Sequence, residues 1–325
     1  MPVVKYKFGG VHNKLDPMEV VEYDGRFAPV VKSLVRGNNI DISDKLAARS
    51  RVGYSSVYRG GTHSLWTTRK FDEAFFVEDG VVYRLWPEGS NWVTSAVFEA
   101  SNNDRMDFVE VNNLVVCSNG TDIRLIQQGV ALDPPTTTPK VNRLPMFPGV
   151  FLAFLNGILY AANRDGVIYH SDPYDVDFMD AANCRIPLGG EASMLAAVPG
   201  GLWVSYNGRT VFLSGTDPLQ FTFMPVAEYG VVHGAFTFVD SDKLGIDGFS
   251  GEAVVWASTQ GVCIGGSTGK FKNLSEDFSF APGEYGTVAL RESEGLTHII
   301  TVLQGRSPEY NRDTTNIETT DYALF

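Results

Sequence analysis

Residues 156–173 read NGILYAANRDGVIYHSDP. A glycine precedes an apolar run that carries an aromatic, a short polar turn follows, and a second apolar run leads into small and turn-forming residues. Short runs rich in Ile, Leu, Val and Tyr, cut by NG, DG and DP, describe an antiparallel hairpin and not a helix. The same grammar returns in GGLWVSYNGRTVFLSGTDP (200–218) and SGEAVVWASTQGVCIGG (250–266). Looser copies occupy 60–85, 112–129 and 286–303. The anchors Gly61, Asn113, Gly157, Gly201, Gly251 and Gly286 are 52, 44, 44, 50 and 35 residues apart. Repeats of roughly 40 to 50 residues made of short antiparallel strands are typical of propeller blades. The expected fold is therefore all-β, a single β-propeller of about six or seven four-stranded blades, with any seventh blade degraded or closed by the N-terminal segment.

Strands are expected at 73–77, 81–86, 114–118, 151–154, 158–162, 166–170, 201–205, 210–213, 253–257 and 261–265. Helical periodicity persists nowhere for three turns; the best window is 43–51, with Ser43 as an N-cap. A four-stranded sheet of this size cannot bury both faces alone, whereas radial stacking hides them and protects the edges. Within such strands Trp66, Tyr83, Trp86, Tyr160, Tyr169, Trp203, Phe212 and Trp256 are expected to fill the space between blades. Residues 1–60 form an N-terminal extension, 61–303 the propeller, and 304–325 an extended C-terminal arm. The arm is too poor in apolar residues to order itself, so a fixed conformation would imply a docking partner or a neighbouring subunit.

The 325 residues are 44% hydrophobic, 12% aromatic and 20% charged, which excludes disorder and gives enough apolar surface for a full core. The formal charge of −12 argues against a protein that grips phosphate backbones and leaves DNA as something that passes by without sequence-specific contact. The three cysteines, Cys117, Cys184 and Cys263, stand apart without CxxC spacing, which disfavours a secreted disulfide framework. The N-terminal residues lack the apolar core of a signal peptide and no run of 18 uncharged apolar residues occurs, so neither leader nor membrane span is expected.

Several chemical motifs are only letters. Gly265 to Gly269, GGSTG, matches G-x-S-x-G, but a nucleophile elbow needs a helix after it, and KFKNL (270–274) continues as a strand. A P-loop would need Gly at 264 and Ser or Thr at 271, where Ile264 and Phe271 stand. Asp172, Asp175, Asp177 and Asp180, or Asp240, Asp242 and Asp247, supply oxygens without EF-hand spacing, and Asp-Pro at a strand exit starts turns. The histidines His12, His63, His170, His233 and His298 are dispersed, with no HExxH. Neither the Asp-box of propeller enzymes nor WD dipeptides at blade ends occur. No residue is assigned a catalytic, cofactor-binding or metal-binding role, no cofactor is expected, and the chain is not expected to be an enzyme.

The order of VRGNNIDISDKLAARSRVGYSSVYRG (35–60), FLNGILYAANRDGVIYHSDPYDVDFMD (154–180), GGLWVSYNGRTVFLSGTDP (200–218) and VVWASTQGVCIGGSTGKFKNLSE (254–276) resembles tailed-bacteriophage virion structural proteins of the tail nozzle or hub, the head-to-tail connector type. Gly37 separates Arg36 from Asn38, where that family tends to hold the two closer. The resemblance implies a virion location after synthesis in the host bacterial cytoplasm. The partners it implies are a ring-shaped homo-oligomer of this chain, the portal or adaptor and other tail proteins, and phage DNA in non-specific passage. It carries over no functional residue. The alternative is a carbohydrate-binding or receptor-recognition propeller, which would need two or more of Trp66, Trp86, Trp203 and Trp256 exposed around one mouth.

Overall fold

The computed structural model describes residues 57–70, 72–135, 141–275, 283–293 and 296–304. It also describes, as backbone only, the strands Phe8–Val11, Val21–Tyr23, Pro29–Leu34, Ile40–Ile42, Ala48–Ser50 and Asp321–Leu324. Five sheets carry the repeat, each with its strands hydrogen-bonded in chain order. Sheet 1 is Thr62–Thr67, Ala74–Glu78, Val81–Glu88 and Asn91–Glu99. Sheet 2 is Asp107–Val111, Leu114–Ser118, Ile123–Gln127 and Val130–Leu132. Sheet 3 is Phe151–Leu155, Ile158–Ala162, Val167–His170 and Arg185–Pro187. Sheet 4 is Ala192–Val198, Gly201–Tyr206, Arg209–Ser214 and Thr222–Ala227, and sheet 5 opens with Val231–Asp240, Glu252–Ser258, Gly261–Gly265 and Phe271–Asn273. This antiparallel meander is the blade unit of a β-propeller. The fold is all-β and of propeller type, with about five blades.

All ten expected strands are present, with ends shifted by a residue or two. The turn chemistry explains why they were visible. Asn156–Gly157 and Asn207–Gly208 both have positive φ at the two central positions, 50° and 81° in the first and 49° and 71° in the second. That is the two-residue hairpin turn whose twist matches the flanking strands, and Asn-Gly enters it at least cost.

The blade count differs from the expected six or seven. The sixth copy, 286–303, is not a four-stranded sheet but one long ribbon, Tyr285–Ser293 against Leu296–Gln304. The ribbon extends sheet 5 through a parallel pairing of His233 with Tyr285. In the middle repeats the anchor residue stands immediately before a second strand, or opens it at Gly201, whereas Gly286 lies inside a strand and Gly61 precedes a first strand. A strand-Gly-strand reading cannot tell these positions apart. Within 43–51, the best helical window of an all-β sequence, Ala48–Ser50 is a strand paired with Ile40–Ile42. Residues 43–47 and 51 lie outside the described residues. Asp321–Leu324 of the expected arm pairs antiparallel with Leu296–Gln304 of the same chain, and 305–320 lie outside the described residues.

The chain forms two compact units, residues 55–228 with sheets 1 to 4, and residues 1–54 with 229–325. Stacking in the first unit follows from the two-residue period of a strand. In Leu114–Ser118, Val115 and Cys117 join Phe75, Val77, Val82 and Phe108 in one buried cluster. Val116, between them, points the other way and joins Leu152, Leu159 and Met179 in a second. Sheet 2 is thus covered on both faces by its neighbours, and this strand is apolar from Leu114 to Cys117 for that reason. In the second unit Val255, Ala257, Val262 and Ile264 of sheet 5 pack with Val288 and Ile299 of the ribbon.

Candidate functional face

Within the 55–228 unit, the turns between second and third strands lie beside the linkers that carry the chain from one sheet to the next, and polar side chains bind the two together. The linker from sheet 1 to sheet 2 is held from both sides. The Gly80 amide donates to Asn103 Oδ1 at 2.7 Å, while Asp122 accepts the Ser101 amide and hydroxyl, each at 2.7 Å. Burial pushes the Asp122 carboxyl up, but the Ser101 and Asn119 bonds outweigh it and keep it below its usual range. Asn119 Nδ2 donates to Asn102 Oδ1 at 2.8 Å, Asn102 Nδ2 donates to Asp104, and Arg164 from the turn of sheet 3 donates to Asp104 Oδ2 at 2.6 Å. Further on, Asn207 Nδ2 in the turn of sheet 4 donates to the Gly189 carbonyl at 3.0 Å.

Single side chains also tie consecutive sheets. The Met106 amide donates to Ser64 Oγ and the Gly149 amide to Ser118 Oγ. The Leu152 amide in the first strand of sheet 3 donates to Asp107 Oδ2 in the first strand of sheet 2, at 2.7 Å. Burial raises the Asp107 carboxyl to about 6, against the opposing effects of the Leu152 amide and the Arg105 guanidinium. Sequence reading missed Ser64, Asp107 and Ser118. The one recurrent signal was the hydroxyl at the exit of second strands, Ser118, Ser205 and Ser258, each of which donates back to a carbonyl of its own turn.

A shallow cleft of about 240 Å³ opens on this face between sheets 2 and 3, lined by Gly120, Phe147, Pro148, Arg164, Asp165 and Tyr169 among others. Phe147 meets Tyr169 edge to face at 4.9 Å, and the Arg185 guanidinium lies 5.8 Å from the Tyr169 ring. The cleft offers an aromatic wall and a few planar polar groups.

The sequence motifs resolve into structural roles. GGSTG at 265–269 is the turn between Gly261–Gly265 and Phe271–Asn273, closed by the Gly266 amide on the Lys270 carbonyl. Asp172 and Asp180 flank Arg143, and Asp240 accepts the Asp242 amide to cap a single 3-10 turn. Among the described residues, no group of three or more His, Cys, Asp or Glu is placed to hold a metal ion. His63 bridges Ser64 and Asn103, His170 Nε2 binds the Asn183 carbonyl, His233 stands edge to face with Tyr285, and His298 is buried. His12 lies outside the described residues. Cys117, Cys184 and Cys263 are buried and free.

Of the four tryptophans weighed as a sugar platform, Trp203 and Trp256 have no exposed surface. Trp66 stacks on Phe108 at 5.9 Å, and the Arg84 guanidinium lies over Trp86 at 4.9 Å. Tyr160 and Phe212 are fully buried, as blade packing requires. Among the described residues, no helix is long and apolar enough to cross a membrane.

No protein-family model matches the chain, and no curated protein matches it. Among solved structures it is similar to a crystal structure of BBS1N in complex with ARL6DN, soaked with mercury. The identity is 11%, the TM-score 0.46, and the match covers 71% of either chain. Its own sheets and turns define the class, an all-β protein of propeller type whose loop face is knit by side-chain to backbone bonds.

Proposed function

We propose that this protein is a structural component of a tailed-phage virion, a ring-forming nozzle, hub or head-to-tail connector part that helps form the DNA exit channel and docks other tail proteins. The observation that carries the reading is the run of ties from sheet to sheet, Ser64 to Met106, Asp107 to Leu152, Ser118 to Gly149 and Asn207 to Gly189. They spend the polar groups of the loop face on holding sheets in register, which suits a part that bears load and performs no chemistry. The ordered sequence resemblance and the charge of −12 support it as well, since an acidic surface lets DNA slide without adhering. Quantitative mass spectrometry of purified particles tests it. The protein should be present in a small fixed multiple relative to the portal, and its absence from particles would defeat the proposal.

A second reading, a carbohydrate-binding or receptor-recognition propeller, is favoured by the Phe147–Tyr169 wall of the cleft, not by the tryptophans. A glycan array on the wild type and Phe147→Ala decides it. Binding lost in the variant supports this reading, and an array without hits removes it.

A further inference from the structure

We infer that copies of this chain join edge to edge, the outer strand of sheet 4 of one copy meeting the outer strand of sheet 1 of the next. The inference rests on the ring-forming reading and names the surfaces that make the ring.

An outer strand exposes a row of unpaired backbone groups, and soluble proteins blunt such edges by keeping them short or placing charge and proline on them. Sheet 3 follows that rule with the three-residue Arg185–Pro187, and sheet 2 ends in the three-residue Val130–Leu132. The outer strands of sheets 1 and 4 are longer, nine and six residues, and less protected, with only Glu99 at the end of the first and Pro225 within the second. Thr222–Ala227, sequence TFMPVA, has no charge, and its first four residues are all exposed, so it is bare on both faces. Phe223 is 42% exposed and Met224 40%. Their cross-strand partners Leu213 and Phe212 are completely buried, so the cover over sheet 4 stops one strand short of its edge. Asn91–Glu99, NWVTSAVFE, is nine residues long, carries one charge at its last position, and leaves Trp92 49% exposed.

What covers these strands follows from charge. Two copies at −12 repel, and the repulsion is least where the touching surfaces carry no carboxylates. A basic partner would seek the acidic surface instead, so these two strands, which carry one carboxylate between them, suit a second copy. Rotational closure needs two different patches that fit each other, and among the described residues these two outer strands are the long ones with at most a single charge. Pro225 lacks an amide hydrogen in the middle of its strand, so packing of Phe223, Met224 and Trp92 carries the contact and a continuous ladder does not.

Sedimentation velocity on the full chain tests this with F223K/M224K, with W92K, and with L65K, which alters a 71% exposed residue elsewhere on sheet 1, as the control. Circular dichroism first establishes that each variant is folded. The wild type and L65K should assemble, and the two edge variants should each be monomeric, with association weakened at least tenfold. Mixing F223K/M224K with W92K should restore one-to-one dimers and nothing larger, because one intact junction remains. A monomeric wild type, edge variants that still assemble, dissociation by L65K, or a mixture that stays monomeric would each overturn the inference. Variants that assemble although the protein is found in particles would sink this interface alone, leaving the virion reading in place.

Discussion

Asp107 illustrates how one residue can weigh on the whole fold. Its carboxyl is raised to about 6 in the folded chain, mainly by burial, above the ordinary carboxylate value of an unfolded one. The folded state therefore holds this proton more tightly, so the group's favourable contribution is complete below about pH 4 and is lost as pH rises through 6. Asp107→Asn keeps an oxygen for the Leu152 amide and removes the titration. Thermal melts from pH 4 to 7 should show the wild type losing stability relative to the variant, on the order of 2 kcal/mol by pH 7. Parallel curves for the two proteins would refute the assignment.

Other residues separate by burial. Trp203→Ala should cost about 3 to 5 kcal/mol, because nothing can collapse into the space of a fully buried indole, while Trp92→Ala should leave the melting point within about a degree or two of wild type. Burial raises the Cys117 thiol to about 12 and the Cys263 thiol to about 11, so neither should react with a disulfide reagent at pH 8 until the protein is denatured. Fast labelling of either in the native protein would contradict their placement.

At the scale of elements, the turns govern. Gly166 sits at φ +76°, and a Cβ there would come 2.5 Å from the amide nitrogen of Gly190 in the linker to sheet 4. Gly166→Ala combines a left-handed backbone with a backbone collision, and should destabilise by more than about 1 kcal/mol in urea titrations. The same turns made the fold legible, since NG, DG and GG bound the inner strands, whose continuous Val, Ile and Leu reflect cover on both faces. The outer strands Asn91–Glu99, Val130–Leu132, Arg185–Pro187 and Thr222–Ala227 were missed for the opposite reason. Exposed on much of their surface, they need no alternation, and the pattern that announces a strand is burial. The ties through Ser64 and Asp107 were equally silent, because one serine or aspartate has a partner only after the sheets have stacked. Blade number failed where Gly286 imitated a turn glycine inside a ribbon.

At the scale of the whole molecule, charge sets how assembly answers to salt. Copies that meet through strands with a single carboxylate between them gain from added salt, which screens the mutual repulsion of their remaining surfaces. The assembled fraction should rise between 50 and 500 mM NaCl at about constant protein concentration. A fall would mean that ion pairs hold the copies together.

The division of the chain also has a consequence for its synthesis. Residues 55–228 are contiguous, while the other unit draws on 1–54 and 229–325. On the ribosome the contiguous unit is complete before residues 229–325 of the other are made. Nascent chains arrested shortly beyond residue 228 should already resist protease across the four early sheets.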